Sequence, residues 1–80
     1  MLSMETTTKL APEKILVKLK AYFGEGGLGL ELTRDTESCL TFEGGGGYVA
    51  ATLCVEGERT RLSFETREWE IDVRRFSQEL

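Results

Sequence analysis

The chain has no histidine, a single proline and no long apolar run. Without imidazole it lacks the commonest general base and the commonest neutral metal ligand. Its two cysteines, Cys39 and Cys54, fall short of the four ligands that a structural zinc site needs. No stretch approaches the roughly 20 apolar residues of a membrane-spanning helix. Positive charge is sparse too: 10 basic residues face 14 acidic ones, the net charge is −4, and no basic run exceeds Arg74-Arg75. Phosphates are repelled by such a balance, so nucleic acid and anionic membrane surfaces are poor partners. The opening Met1 to Thr8 carries Glu5 and no apolar stretch, unlike a secretory signal. Both cysteines are therefore expected as free thiols of a cytoplasmic protein.

What is present is organised around Ser38 to Val55. Two runs rich in strand-forming residues flank Gly44-Gly45-Gly46-Gly47, the pattern of a β-hairpin. A loop at Gly45-Gly46 pairs Phe42 with Val49 and Leu40 with Ala51. Apolar then meets apolar on one face, and Cys39/Thr52 and Thr41/Ala50 share the other. A slip of one residue would mix the faces. Cys54 becomes a diagonal neighbour of Cys39, near the upper limit of disulfide reach. Four glycines exceed what a tight turn needs, which predicts a mobile tip. No Lys follows them, so they do not make a phosphate-binding loop of the GK[ST] type.

Upstream, Met1 to Lys9 is polar and threonine-rich, and is expected to be a disordered tail. Residues 10–80 read as one domain. Pro12 suits the first turn of a helix and Gly24 the position just past its end, which predicts a helix over Pro12–Phe23. Ile15, Leu16, Leu19, Tyr22 and Phe23 form its inward stripe. Leu10 and Ile15 have the spacing of a hydrophobic staple. Val17 and Ala21 fall on the opposite side, as a second small stripe suited to a helix contact.

Leu28 to Arg34 alternates as a strand. A three-residue reversal at Asp35-Thr36-Glu37 would pair Leu32 with Leu40 and Leu30 with Phe42. Near Gly57, either Glu-Gly or Gly-Glu can turn the chain, and both place Ala51 and Leu53 with Leu62 and Phe64. Three reversals thus agree on one apolar face: Leu28, Leu30, Leu32, Leu40, Phe42, Val49, Ala51, Leu53, Val55, Leu62 and Phe64. The other face carries small and polar residues, among them Tyr48, Ala50, Thr52, Cys54, Arg59, Arg61, Ser63 and Glu65. Beyond Thr66 two readings stand. A strand, bulged near Thr66-Arg67, runs to about Ile71 before Asp72 caps a short helix, or one longer helix spans the segment. The fold expected is α+β: an N-terminal helix packed on a four-stranded antiparallel meander, closed by a C-terminal strand extension, a short helix, or both.

No arrangement for catalysis emerges, and no cofactor or metal is implied. The function expected is a small acidic, non-enzymatic interaction module that binds a protein, a second copy of the chain being one such partner. Its interface candidates are Val17, Ala21, Ala50 and Thr52. An alternative uses the glycine tip as an anion or nucleic-acid binder. There Gly44, Gly45, Gly46 and Gly47 offer backbone N–H groups, and Tyr48, Arg59 and Arg61 supply stacking and charge.

Overall fold

The computed structural model describes residues 1–80. Its elements run β1 (Leu2–Thr8), α1 (Pro12–Phe23), β2 (Glu31–Asp35), β3 (Cys39–Gly44), β4 (Gly47–Glu56), β5 (Arg59–Arg67) and α2 (Glu70–Gln78). The strands form one sheet in the order β1-β5-β4-β3-β2, and every neighbouring pair is antiparallel. The expected α+β class therefore stands, with two corrections. The sheet has five strands rather than four, and a strand rather than the helix comes first.

That first strand occupies the segment expected to be disordered. Leu2, Met4, Thr6 and Thr8 point to the covered side of the sheet while Ser3, Glu5 and Thr7 are exposed. β-branched threonines suit such a pleated, half-buried position. β1 pairs with β5 from Leu2–Thr66 to Thr8–Thr60. Buried Thr60 donates its hydroxyl to Leu10 O at 3.1 Å, and Thr8 Oγ1 accepts from the Leu10 N–H at 3.2 Å. These bonds lead the chain out of β1 and into α1.

The helix matches its expected span. Extended Ala11 precedes Pro12, and Ile15, Leu19 and Phe23 are buried. Leu10 packs against the same core, as the staple spacing implies. After Gly24 the backbone folds back onto the helix end: Leu28 N–H bonds Tyr22 O and Leu30 N–H bonds Phe23 O. Those donors are thereby withdrawn from any ladder, which is why the strand expected from Leu28 starts only at Glu31. Gly27 permits the close return, since a Cβ there would lie 2.1 Å from Tyr22 O.

The β2–β3 pairing also differs from expectation. Leu32 lies opposite Phe42, not Leu40, and a register shift between Leu32 and Arg34 brings Asp35 opposite Leu40. A bulge of this kind places two residues against one and cannot be counted from a turn. The β3–β4 hairpin follows the counted register, with Phe42 opposite Val49 and Leu40 opposite Ala51. Of the two turns open near Gly57 the chain takes Gly57-Glu58, so Leu53 pairs with Leu62 and Ala51 with Phe64 on the expected shared face.

β5 continues in register to Arg67, without the bulge considered near Thr66-Arg67, and does not reach Ile71. The chain then reverses at Glu68, the only non-glycine residue with positive φ (74°). α2 starts at Glu70, after Trp69 rather than at Asp72. Both helices lie on one face of the sheet. Their buried residues Ile15, Leu19, Phe23, Val73 and Phe76 join seven sheet residues and Leu30, just ahead of β2, in one apolar core. Phe23 stands at its centre, with ring centroids 5.7 Å from Phe42, 6.5 Å from Phe64 and 5.6 Å from Phe76. Two residues of the predicted apolar face stay exposed instead: Val55 at 62% and Leu28 at 37%.

Candidate functional site

No helix covers the second face of the sheet. The registers set out its rows from edge to edge. Glu5, Ser63, Thr52 and Cys39 form one row, and Ser3, Glu65, Ala50 and Thr41 form the next. Alternation along each strand sends these side chains away from the core. The middle of the face is low, because alanine, serine and threonine stand where longer side chains flank them. A shallow depression of about 500 Å³ results, lined on this side by Ser3, Glu5, Ala50, Thr52, Ser63 and Glu65.

Two polar pairs bound the depression. At one end Tyr48 OH donates to Glu65 Oε2 at 3.0 Å. This bond, more than burial or the carboxylate's charge, raises the tyrosine's pKa above its ordinary value. At the other end Arg61 pairs with Glu56 and lies 3.8 Å from Glu5. Glu56 raises the guanidinium's already high pKa, so Arg61 keeps its charge and its partners. Cys54 sits across from Arg61 on the exposed face and Cys39 is half-buried opposite Thr52; both are free thiols. No three His, Cys, Asp or Glu residues converge as a metal site would require.

The residues singled out for the alternative reading do not converge. Gly44 to Gly47 and Tyr48 lie at the start of β4, whereas Arg61 and Arg59 pair with Cys54 and Glu56 near its other end. From Tyr48 to Cys54 the strand extends about 20 Å at ~3.3 Å per residue. The glycine tip is occupied from within. Trp69 Nε1 donates to Gly44 O at 3.0 Å, and its ring lies against Gly45, where a Cβ would come within 2.7 Å of it. Positive φ at Gly45 (59°) and Gly46 (81°) gives the two-residue hairpin loop its turn. The tip expected to be mobile is thus pinned to Trp69.

The four interface candidates divide between opposite sides of the molecule. Ala50 and Thr52 form the floor of the depression. Val17, 68% exposed, and Ala21 lie on the outer surface of α1. Ser3 and Glu5 complete the depression but could not be placed by counting turns, because β1 joins the sheet through no hairpin.

No helix is long and apolar enough to cross a membrane. Neither a protein-family model, a curated protein nor a solved structure matches this chain.

Proposed function

We propose that this chain is a non-enzymatic protein-interaction module and that the open sheet face around Ala50, Thr52 and Ser63 receives the partner. One observation carries the reading: the face of a five-stranded sheet stands uncovered, with small side chains along its middle. A low floor lets a partner's larger side chains approach the strands. The Tyr48–Glu65 and Arg61–Glu56 pairs flank it as polar groups, in the way a polar rim surrounds the centre of an interface. The outer surface of α1 offers less, since Val17 and Ala21 are separated from the depression by the whole thickness of the core. The anion-binding reading draws no support from arginines some 20 Å from the tip.

Thr52→Arg fills the depression with a long cation, while Val17→Arg places the same side chain on α1. Both positions are exposed, so each change is expected to alter stability by less than about 0.5 kcal/mol. A partner protein retained from native lysate by the immobilised chain should be lost with Thr52→Arg and kept with Val17→Arg. Equal retention by both variants would move the contact surface elsewhere. Circular dichroism verifies that each variant is folded.

A further inference from the structure

We infer that the outer edge of β1 is a strand-pairing site for a second copy of this chain, joining two sheets into one. The pairing groups are the outward N–H and C=O of β1, while the side chains of Ser3 and Glu5 line the open face. Backbone groups along a strand point alternately to its two sides. In a two-residue hairpin the residues flanking the loop form a hydrogen-bonded pair, and bonded and non-bonded pairs then alternate. Glu56–Arg59 flanks one such loop. Counting from it, the odd residues of β5 bond to β4, and Thr60, Leu62, Phe64 and Thr66 turn their N–H and C=O toward β1. The Gly44–Gly47 loop gives the same parity for β4.

The partners of those β5 residues are Thr8, Thr6, Met4 and Leu2. Ser3, Glu5 and Thr7 therefore aim both backbone groups outward, and no turn, loop or cap bonds to them. An unpaired row of this kind is a template for another strand.

The other edge of the sheet is protected. β2 is short, is bulged between Leu32 and Arg34, and carries Glu31, Arg34 and Asp35. Charges, bulges and short length are the devices that prevent edge pairing. β1 has none of them apart from Glu5: it is in unbroken register with β5 over Leu2–Thr8 and contains no proline.

The sequence of β1 also suits itself. A two-fold axis sets the same strand antiparallel to itself. Centring on Glu5 would oppose two carboxylates. Centring on Thr6 would send apolar Leu2, and Ser3 with it, past the end of the partner strand, whereas centring on Met4, with an overlap of the same length, leaves out Thr7 and Thr8. Centring on Met4 places Glu5 opposite Ser3 of the second copy, Leu2 opposite its Thr6 and Met4 opposite its Met4. Ser3 and Glu5 then exchange their outward bonds with Glu5 and Ser3 across the axis. Half-buried Leu2 and Met4 gain cover on the helix side.

The test combines sedimentation with amide exchange by NMR. The chain is expected to be dimeric, with Ser3 and Glu5 amides slowed on dimerisation and Met4 and Thr6 amides slow throughout. Ser3→Glu opposes Glu5 of the second copy and should raise the dissociation constant about tenfold; Ser3→Lys should lower it by a similar factor. Glu5→Pro removes an outward N–H and should abolish the dimer while Met4 and Thr6 stay protected. A monomer at every concentration up to about 1 mM, or a dimer whose Ser3 and Glu5 amides exchange freely, would overturn the inference. The second result would leave an open-face partner unaffected.

Discussion

Glu68 and Tyr48 each carry a local feature that can be tested, a backbone angle in the first and a raised pKa in the second. Glu68 holds φ at 74° where the chain leaves β5 and turns into α2. A residue with a Cβ is strained there by about 1–2 kcal/mol; glycine removes that strain, and the greater entropy of its unfolded chain cancels only part of the gain. Glu68→Gly is therefore expected to raise stability by roughly 0.5–1 kcal/mol, read as a higher urea midpoint with an unchanged slope. Tyr48 illustrates the opposite case, a favourable bond that titrates. Its hydroxyl donates to Glu65, and the folded pKa is raised. The neutral form is thus favoured by folding. Its contribution is complete below the unfolded value of about 10 and is lost as pH rises through the higher folded value. Absorbance titration in a Tyr22→Phe background should show Tyr48 ionising above the free amino acid, and Glu65→Gln should bring it back toward the ordinary value. A Tyr48 already at the ordinary value before the second change would mean that the Glu65 bond is not formed in solution.

At the scale of elements, legibility followed the distance over which pairing had to be inferred. The β3–β4 register could be counted because Gly45-Gly46 fixes a two-residue loop, whereas near Gly57 the sequence settled only which side chains share a face and left two registers open. α1 could be read because Pro12, Gly24 and the Ile15/Leu19/Phe23 stripe agree. β2 was misplaced for two local reasons. The segment from Leu28 to Leu30 gives its N–H groups to the end of α1, and a bulge shifts the pairing after Leu32. Neither leaves a mark in an alternating pattern. β1 was missed because its inward row is Leu2, Met4, Thr6 and Thr8, only half of it apolar, and because its partner Thr60–Thr66 lies at the far end of the chain. The C-terminal segment satisfied both a strand and a helix period. What separates them is Trp69, bonded to Gly44 O, a tertiary contact that no local period expresses. The floor of the depression was legible in Ala50, Thr52 and Ser63, and its rim from Ser3 and Glu5 was not, since the rim depends on β1.

For the whole molecule, this division between local and distant pairing becomes a statement about folding. β3, β4 and β5 are joined by tight hairpins, so their contacts close short loops. β1 reaches β5 only after the entire chain from Leu2 to Thr66 is brought round, and a long loop closes at greater entropic cost. The three-strand meander with α1 against it is accordingly expected to form in the transition state, and β1 to dock late. Leu53→Ala, in the β4–β5 hairpin, should slow refolding and give a φ-value well above that of Met4→Ala on β1. The second change should mainly speed unfolding, with φ near zero. Both side chains pack with the core, Leu53 buried and Met4 partly so, and Leu53→Ala is expected to cost about 2–4 kcal/mol, enough for a reliable ratio. Stopped-flow chevrons decide the matter: a φ-value for Met4→Ala equal to that for Leu53→Ala would place the β1–β5 pairing inside the nucleus, against the order that loop closure dictates.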